Sequence, residues 1–121
     1  MTEVNALGRQ LVLDAWGCRN LDDEDAVSNF LDESVKACKA TMLSKDLHKF
    51  SPQGISGIAV IAESHISIHT WPEYGYAAID VFTCGSNVEP YNAIDVVKKF
   101  FDPKRITLNE VKRGITVEEL C

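Results

Sequence analysis

The sequence predicts an α+β fold: a two-layer sandwich of mainly antiparallel sheet, with two helices on one face, dimerising through or beside the other. Three observations carry this expectation. Several short runs alternate apolar and polar residues and are joined by tight turns, the pattern of antiparallel strands. Two stretches instead repeat their apolar residues at helical spacing. Two helices can cover only one face of a sheet, so the other face must meet something, and a second copy is the simplest answer.

The elements follow in order. Residues 8–16 read as a strand with Leu11, Leu13 and Ala15 on one face, ended by Gly17. Asn20 to Asp25 is acidic and suits a helix start, with Asp22 or Asp23 as the cap. Val27, Phe30, Leu31, Ser34, Val35 and Cys38 then mark the apolar stripe of an amphipathic helix. Residues 41–50 form a weaker strand, interrupted by Lys45, Asp46 and Lys49, and Ser51-Pro52-Gln53-Gly54 makes a turn. Residues 55–62 form an apolar strand, 65–71 another that Pro72 stops, and 76–83 a third with both faces partly buried. Pro90 suits the first position of a helix carrying Ile94, Val97 and Phe101, with Lys98 and Lys99 near its end. Asp102-Pro103 breaks that helix, and Arg105–Gly114 is the last strand.

One domain spanning residues 1–121 is expected from this length. No apolar run approaches a membrane span, and Met-Thr-Glu-Val-Asn does not read as an export signal, so the expected compartment is the cytoplasm. A net charge of −6 argues against nucleic acid as a partner. Cys18, Cys38, Cys84 and Cys121 show no Cys-x-x-Cys pairing and read as free thiols. Cys38 lies on the helical apolar stripe as core filler.

Chemistry concentrates in Glu63–Glu73, which reads Glu-Ser-His-Ile-Ser-Ile-His-Thr-Trp-Pro-Glu. Such a polar stretch is poorly suited to filling a core. Two generic readings fail. His65 and His69 could chelate a metal on a helix, but the β-branched neighbours indicate a strand, where they stand roughly 13 Å apart at about 3.3 Å per residue. A Ser-His hydrolase would need a nucleophile on a sharp turn, and no Gly-x-Ser-x-Gly occurs.

This stretch, followed by Tyr-Gly-Tyr-Ala-Ala-Ile-Asp-Val-Phe-Thr-Cys-Gly at 74–85, closely resembles the prokaryotic S-adenosylmethionine decarboxylase proenzymes. The likeness continues in His48-Lys49-Phe50-Ser51-Pro52-Gln53-Gly54-Ile55-Ser56-Gly57, in Leu7-Gly8-Arg9 and in Lys112-Arg113-Gly114. It implies a homodimer, or a higher homo-oligomer, of two-layer α+β units with active sites near the interface. It also implies self-cleavage at Glu63-Ser64 into 1–63 (β chain) and 64–121 (α chain), leaving a pyruvoyl group derived from Ser64. In that chemistry the Ser64 hydroxyl attacks the Glu63 carbonyl, turning the amide into an ester. β-Elimination then gives dehydroalanine, which hydrolyses to pyruvoyl and ammonia. The pyruvoyl serves as electron sink for decarboxylation, with no bound vitamin and no metal.

The resemblance assigns roles residue by residue. His69 is the base that removes the Cα proton during elimination, a task suited to a near-neutral imidazole. Ser56 stabilises the cleavage intermediate, and His65 reads as structural. Cys84 is the proton donor to the substrate carbon, because a thiol of pKa about 8.5 stays mostly protonated at neutral pH. Phe50 stacks on adenine near the sulfonium, where a ring face attracts a cation, and Glu73 bonds the ribose hydroxyls. Trp71 reads as packing. A regular strand would put Ser64 and His69 on opposite faces, so these roles require a bend near Ser64. The implied activity is conversion of S-adenosylmethionine to the aminopropyl donor for spermidine synthesis. Two alternatives stand beside it. One is a pyruvoyl-dependent arginine or ornithine decarboxylase of the same fold. The other is a processing-dead regulatory homologue, against which the intact Ser64, His69 and Cys84 speak.

Overall fold

The computed structural model describes residues 4–62, 64–85 and 87–117. Its elements run β1 (Val4–Trp16), α1 (Glu24–Ala37), β2 (Met42–Lys49), β3 (Ile55–Ile61), β4 (Ser64–Trp71), β5 (Tyr76–Cys84), α2 (Ala93–Phe101) and β6 (Arg105–Val117). The strands form one six-stranded sheet in the order β2-β3-β4-β5-β1-β6. Every pairing is antiparallel. Among the described residues, no helix is long and apolar enough to cross a membrane.

Alternation decides which side chains meet the helices. Leu11 and Leu13 of β1, Ile66 and Ile68 of β4, and Ile79 and Val81 of β5 are buried. They pack on Val27, Phe30 and Leu31 of α1 and on Val97 and Phe101 of α2. The Phe30 and Phe101 rings, 5.3 Å apart, join the two helices. Gly57 lets α1 lie close on β3: a Cβ there would come 3.0 Å from a methyl of Leu31.

The two lysines that weaken β2 as a strand have partners on the helix layer. Lys45 reaches Asp32 of α1 at 2.8 Å, and Lys49 reaches Asp22 at 3.0 Å. Asp23 is the cap of α1, accepting from the amides of Asp25 and Ala26. Cys38 is fully buried just past the end of that helix. Pro90 opens a 3-10 turn, Pro90–Asn92, rather than α2 itself, which begins at Ala93. A proline lacks the N–H that a first turn leaves unpaired, and such turns commonly tighten to 3-10 geometry. Asp102, at φ 43°, turns the chain out of α2 before Pro103.

Among the described residues, the second face of the sheet carries no helix. Tyr76, Ala78, Asp80 and Phe82 of β5 lie there half-buried. Around them Trp16, Ile58, Val60 and Trp71 are between 37% and 39% exposed. This open face also carries the polar side chains of the β3–β4 hairpin.

Candidate active site

Antiparallel pairing opposes Ser56 of β3 to His69 of β4. Both side chains therefore share the open face, and Ser56 Oγ lies 2.7 Å from His69 Nδ1. Sequence spacing alone does not reveal this contact, because it depends on the hairpin register. The next strand adds His48, opposite Ser56, whose ring meets Phe50 nearly edge-on with centroids 4.4 Å apart.

Phe50 begins the turn between β2 and β3, which closes with its amide donating to the Gly54 carbonyl at 2.8 Å. Glu73 sits in the 3-10 turn Pro72–Tyr74 that follows β4. The two turns face one another. Phe50, Ser56, His69, Trp71 and Glu73 consequently line one cleft of about 290 Å³. An adjoining hollow of about 330 Å³ shares Ser56 and His69 and adds Asp46, His48, His65 and Ser67.

Ser64 and Cys84 meet elsewhere, at the other end of β4. The Ser64 hydroxyl donates to Cys84 Sγ at 3.3 Å. Thr83 is buried beneath the helices, so alternation puts Cys84 on the open-face side, the side His69 also occupies. Glu63 lies outside the described residues. His65 packs its ring against Phe82, with centroids 5.7 Å apart, in keeping with a structural role.

The structure thus brings Ser56, His69, Phe50 and Glu73 together, and separately Ser64 and Cys84. It does not bring the two groups together within one chain. β4 keeps an unbroken register with β3 from Ser64 to His69, without the bend that the sequence reading required. At about 3.3 Å per residue the two residues stand about 16 Å apart.

Sequence reasoning missed an aromatic row at the His69 end of the open face. Trp71, Tyr76 and Trp16 are register partners on β4, β5 and β1. Their rings stack at centroid separations of 5.2 and 4.4 Å. Trp71 is packed in this row, and on the open face it also lines the cleft. The Tyr76 hydroxyl donates to Asp14 at 2.5 Å. Burial, with help from that carboxylate, pushes the Tyr76 phenol up to about 12. Tyr76 and Cys84 occupy opposite ends of β5.

Known proteins resemble this chain in sequence and fold. The family model for S-adenosylmethionine decarboxylase matches residues 9–114. An S-adenosylmethionine decarboxylase proenzyme of Methanococcus maripaludis strain C7 is 53% identical over 111 residues, covering 90% of this chain and 91% of that protein. A protein of the same name from Carboxydothermus hydrogenoformans is 48% identical over 120 residues, covering 98% of this chain and 94% of its own length. The crystal structure of the adenosylmethionine decarboxylase from Aquifex aeolicus superposes with a TM-score of 0.86 at 37% identity, over 93% of this chain and 94% of that one. With fold, residue pattern and relatives in agreement across nearly its whole length, the chain belongs to the S-adenosylmethionine decarboxylase family.

Proposed function

We propose that this protein decarboxylates S-adenosylmethionine to the aminopropyl donor used in spermidine synthesis, after cutting itself at Glu63-Ser64 into 1–63 and 64–121. The relatives' shared name as decarboxylase proenzymes supports both the substrate and the processing. It favours this reading over arginine or ornithine decarboxylation. So does the cleft, in which an aromatic ring (Phe50) and a carboxylate (Glu73) suit an adenine and a ribose. Cytoplasmic location is part of the same proposal.

The observation that carries the mechanism is the pair of half-sites at the two ends of β4: Ser56 with His69 on the open face at one end, and Ser64 beside Cys84 at the other. A two-fold axis in the plane between two facing sheets, crossing β4 near its midpoint, lays the Ser64 end of one copy over the His69 end of the other. Each dimer then holds two complete sites. Each takes Ser64 and Cys84 from one copy, and Ser56, His69, Phe50 and Glu73 from its partner. The half-exposed apolar side chains of the open face gain cover in the same step.

Ser64 suits a pyruvoyl precursor, because it starts a strand directly after the hairpin turn with a thiol beside its hydroxyl. A pyruvoyl group at that position supplies the electron sink for the departing carboxylate. Ser56 orients the His69 ring through Nδ1, and in the tautomer whose Nδ1–H donates to Ser56 Oγ the lone pair is on Nε2, ready to take the Ser64 Cα proton. Cys84 holds the proton that replaces carbon dioxide on the substrate carbon. Phe50 and Glu73 orient the nucleoside so that its amino acid end reaches Ser64.

The deciding experiment is intact mass spectrometry followed by carbon dioxide release from S-adenosylmethionine, arginine and ornithine. The expected result is two fragments meeting at Glu63-Ser64 and activity on S-adenosylmethionine alone. An active, uncut chain would sink the mechanism.

A further inference from the structure

We infer that Asp22, which lies in the loop between β1 and α1 and outside the cleft, is a positioning residue that sets the pose of Phe50 and so the affinity for substrate. The inference rests on the reading that the cleft takes S-adenosylmethionine.

The argument starts from how the turn carrying Phe50 is held. Its closing bond, from the Phe50 amide to the Gly54 carbonyl, joins the turn only to itself. Residues 51–53 are exposed, and Phe50 itself is 47% exposed. A free hairpin tip of this kind would leave the ring mobile. Asp22 prevents this by fastening the turn on both sides of Phe50. Its Oδ1 accepts from the Gly54 amide at 2.9 Å and sits 3.0 Å from Lys49 Nζ. Lys49 Nζ also donates to the Asp22 carbonyl at 2.9 Å. Lys49 immediately precedes Phe50 and Gly54 closes the turn, so the ring is carried between two fastened points.

A second tie runs parallel from the neighbouring residue. The Thr70 hydroxyl, buried, donates to the Leu21 carbonyl at 2.8 Å and accepts from the Ile55 amide at 2.9 Å. Leu21 is itself buried, and Asp23 caps α1. The turn is therefore anchored through Asp22 to the start of a helix packed in the core. The Gly54 amide and the Lys49 ammonium, in that order, hold the Asp22 carboxyl below the usual range, so it is ionised wherever the enzyme is folded near neutrality.

The test compares Asp22→Asn, Asp22→Ala and Lys49→Met with Phe50→Ala. If Asp22 acts through Phe50, Asp22→Ala self-cleaves fully and keeps kcat within about twofold, while KM for S-adenosylmethionine rises about tenfold. Asp22→Asn keeps the acceptor for Gly54 but loses the attraction to Lys49, and Lys49→Met loses the same ion pair. Each is expected to raise KM about threefold. The double variant Asp22→Ala/Phe50→Ala should bind no worse than Phe50→Ala alone, since the ring that Asp22 positions is already gone. Should Asp22→Ala fail to fold, Lys49→Met and its combination with Phe50→Ala carry the same test. An unchanged KM in the Asp22 or Lys49 variants, or strictly additive losses in the double variants, overturns the inference alone. An unchanged KM in Phe50→Ala overturns the cleft reading with it.

Discussion

At the residue scale, the chemistry assigned to Ser64, His69 and Cys84 divides into steps that different substitutions separate. Ser64→Ala removes the attacking hydroxyl and should leave the chain whole on a denaturing gel. Cys84→Ser keeps the hydroxyl of Ser64 and should still give two fragments, but a serine is a far weaker acid than a thiol. Turnover should fall about 10²-fold or more, the usual loss of a general acid. Full turnover in cleaved Cys84→Ser would reassign the proton. Tyr76 is a poor replacement within one chain, because its phenol is tied to Asp14, pushed up to about 12, and at the far end of β5. Asp22 permits a pH prediction. Its carboxyl is depressed in the folded state, so its stabilising contribution is present above the unfolded value of about 3.9 and fades as pH falls through the folded value. Chemical denaturation at neutral and at acid pH should therefore show Asp22→Asn losing less stability on acidification than the parent. Equal losses would mean that the negative charge of Asp22 contributes nothing to folding.

At the scale of elements, alternation and helical spacing were enough to find all six strands and both helices. What they could not supply was register. Ser56 and His69 are thirteen positions apart, and only the pairing of β3 with β4 makes them neighbours. The row Trp71, Tyr76 and Trp16 draws on three strands, and it too is invisible until the sheet is ordered. β2 read weakly because its charges look misplaced on a strand, yet Lys45 and Lys49 find partners across the layer in Asp32 and Asp22. The bend near Ser64 was expected because a regular strand turns Ser64 and His69 to opposite faces; β4 keeps its register with β3 throughout, and the Ser64 hydroxyl meets Cys84 at the strand's end. α1 offers its own test. Ser34 is fully buried on the sheet side of the helix, and its hydroxyl has no hydrogen-bond partner among the described residues. Ser34→Ala removes an unsatisfied polar atom and improves helix propensity, which should stabilise the protein by about 1 kcal/mol and raise Tm by about 4 °C. Thermal melts in a Ser64→Ala background, where the chain stays whole, would measure it. A loss of stability there would mean that the hydroxyl has a partner after all.

At the scale of the whole molecule, the decisive quantity is the distance of about 16 Å between Ser64 and His69 along a straight β4. A base cannot take a proton across that gap, so a site working within one chain would need β4 to break. A site shared between two copies needs their open faces to meet and the Ser64 end of β4 to turn toward the partner. The two arrangements make opposite predictions for a mixture of inactive chains. Ser64→Ala alone cannot cleave for want of a nucleophile, and His69→Ala alone should cleave poorly for want of a base. When the two are co-expressed, a mixed dimer with shared sites pairs the intact Ser64 of the His69→Ala chain with the intact His69 of the Ser64→Ala chain. Its other site lacks both. The His69→Ala chains should then be cut at Glu63-Ser64, to at most the fraction present in mixed dimers, while the Ser64→Ala chains stay whole. Mass spectrometry distinguishes the two by their substitutions. If sites were confined to single chains, mixing would restore nothing, and cleavage would stay at the level of His69→Ala expressed alone. Light scattering on the same samples gives the companion measurement: the shared site requires at least a dimer, and a stable monomer that cleaves itself at micromolar concentration would return His69 and Ser64 to one chain.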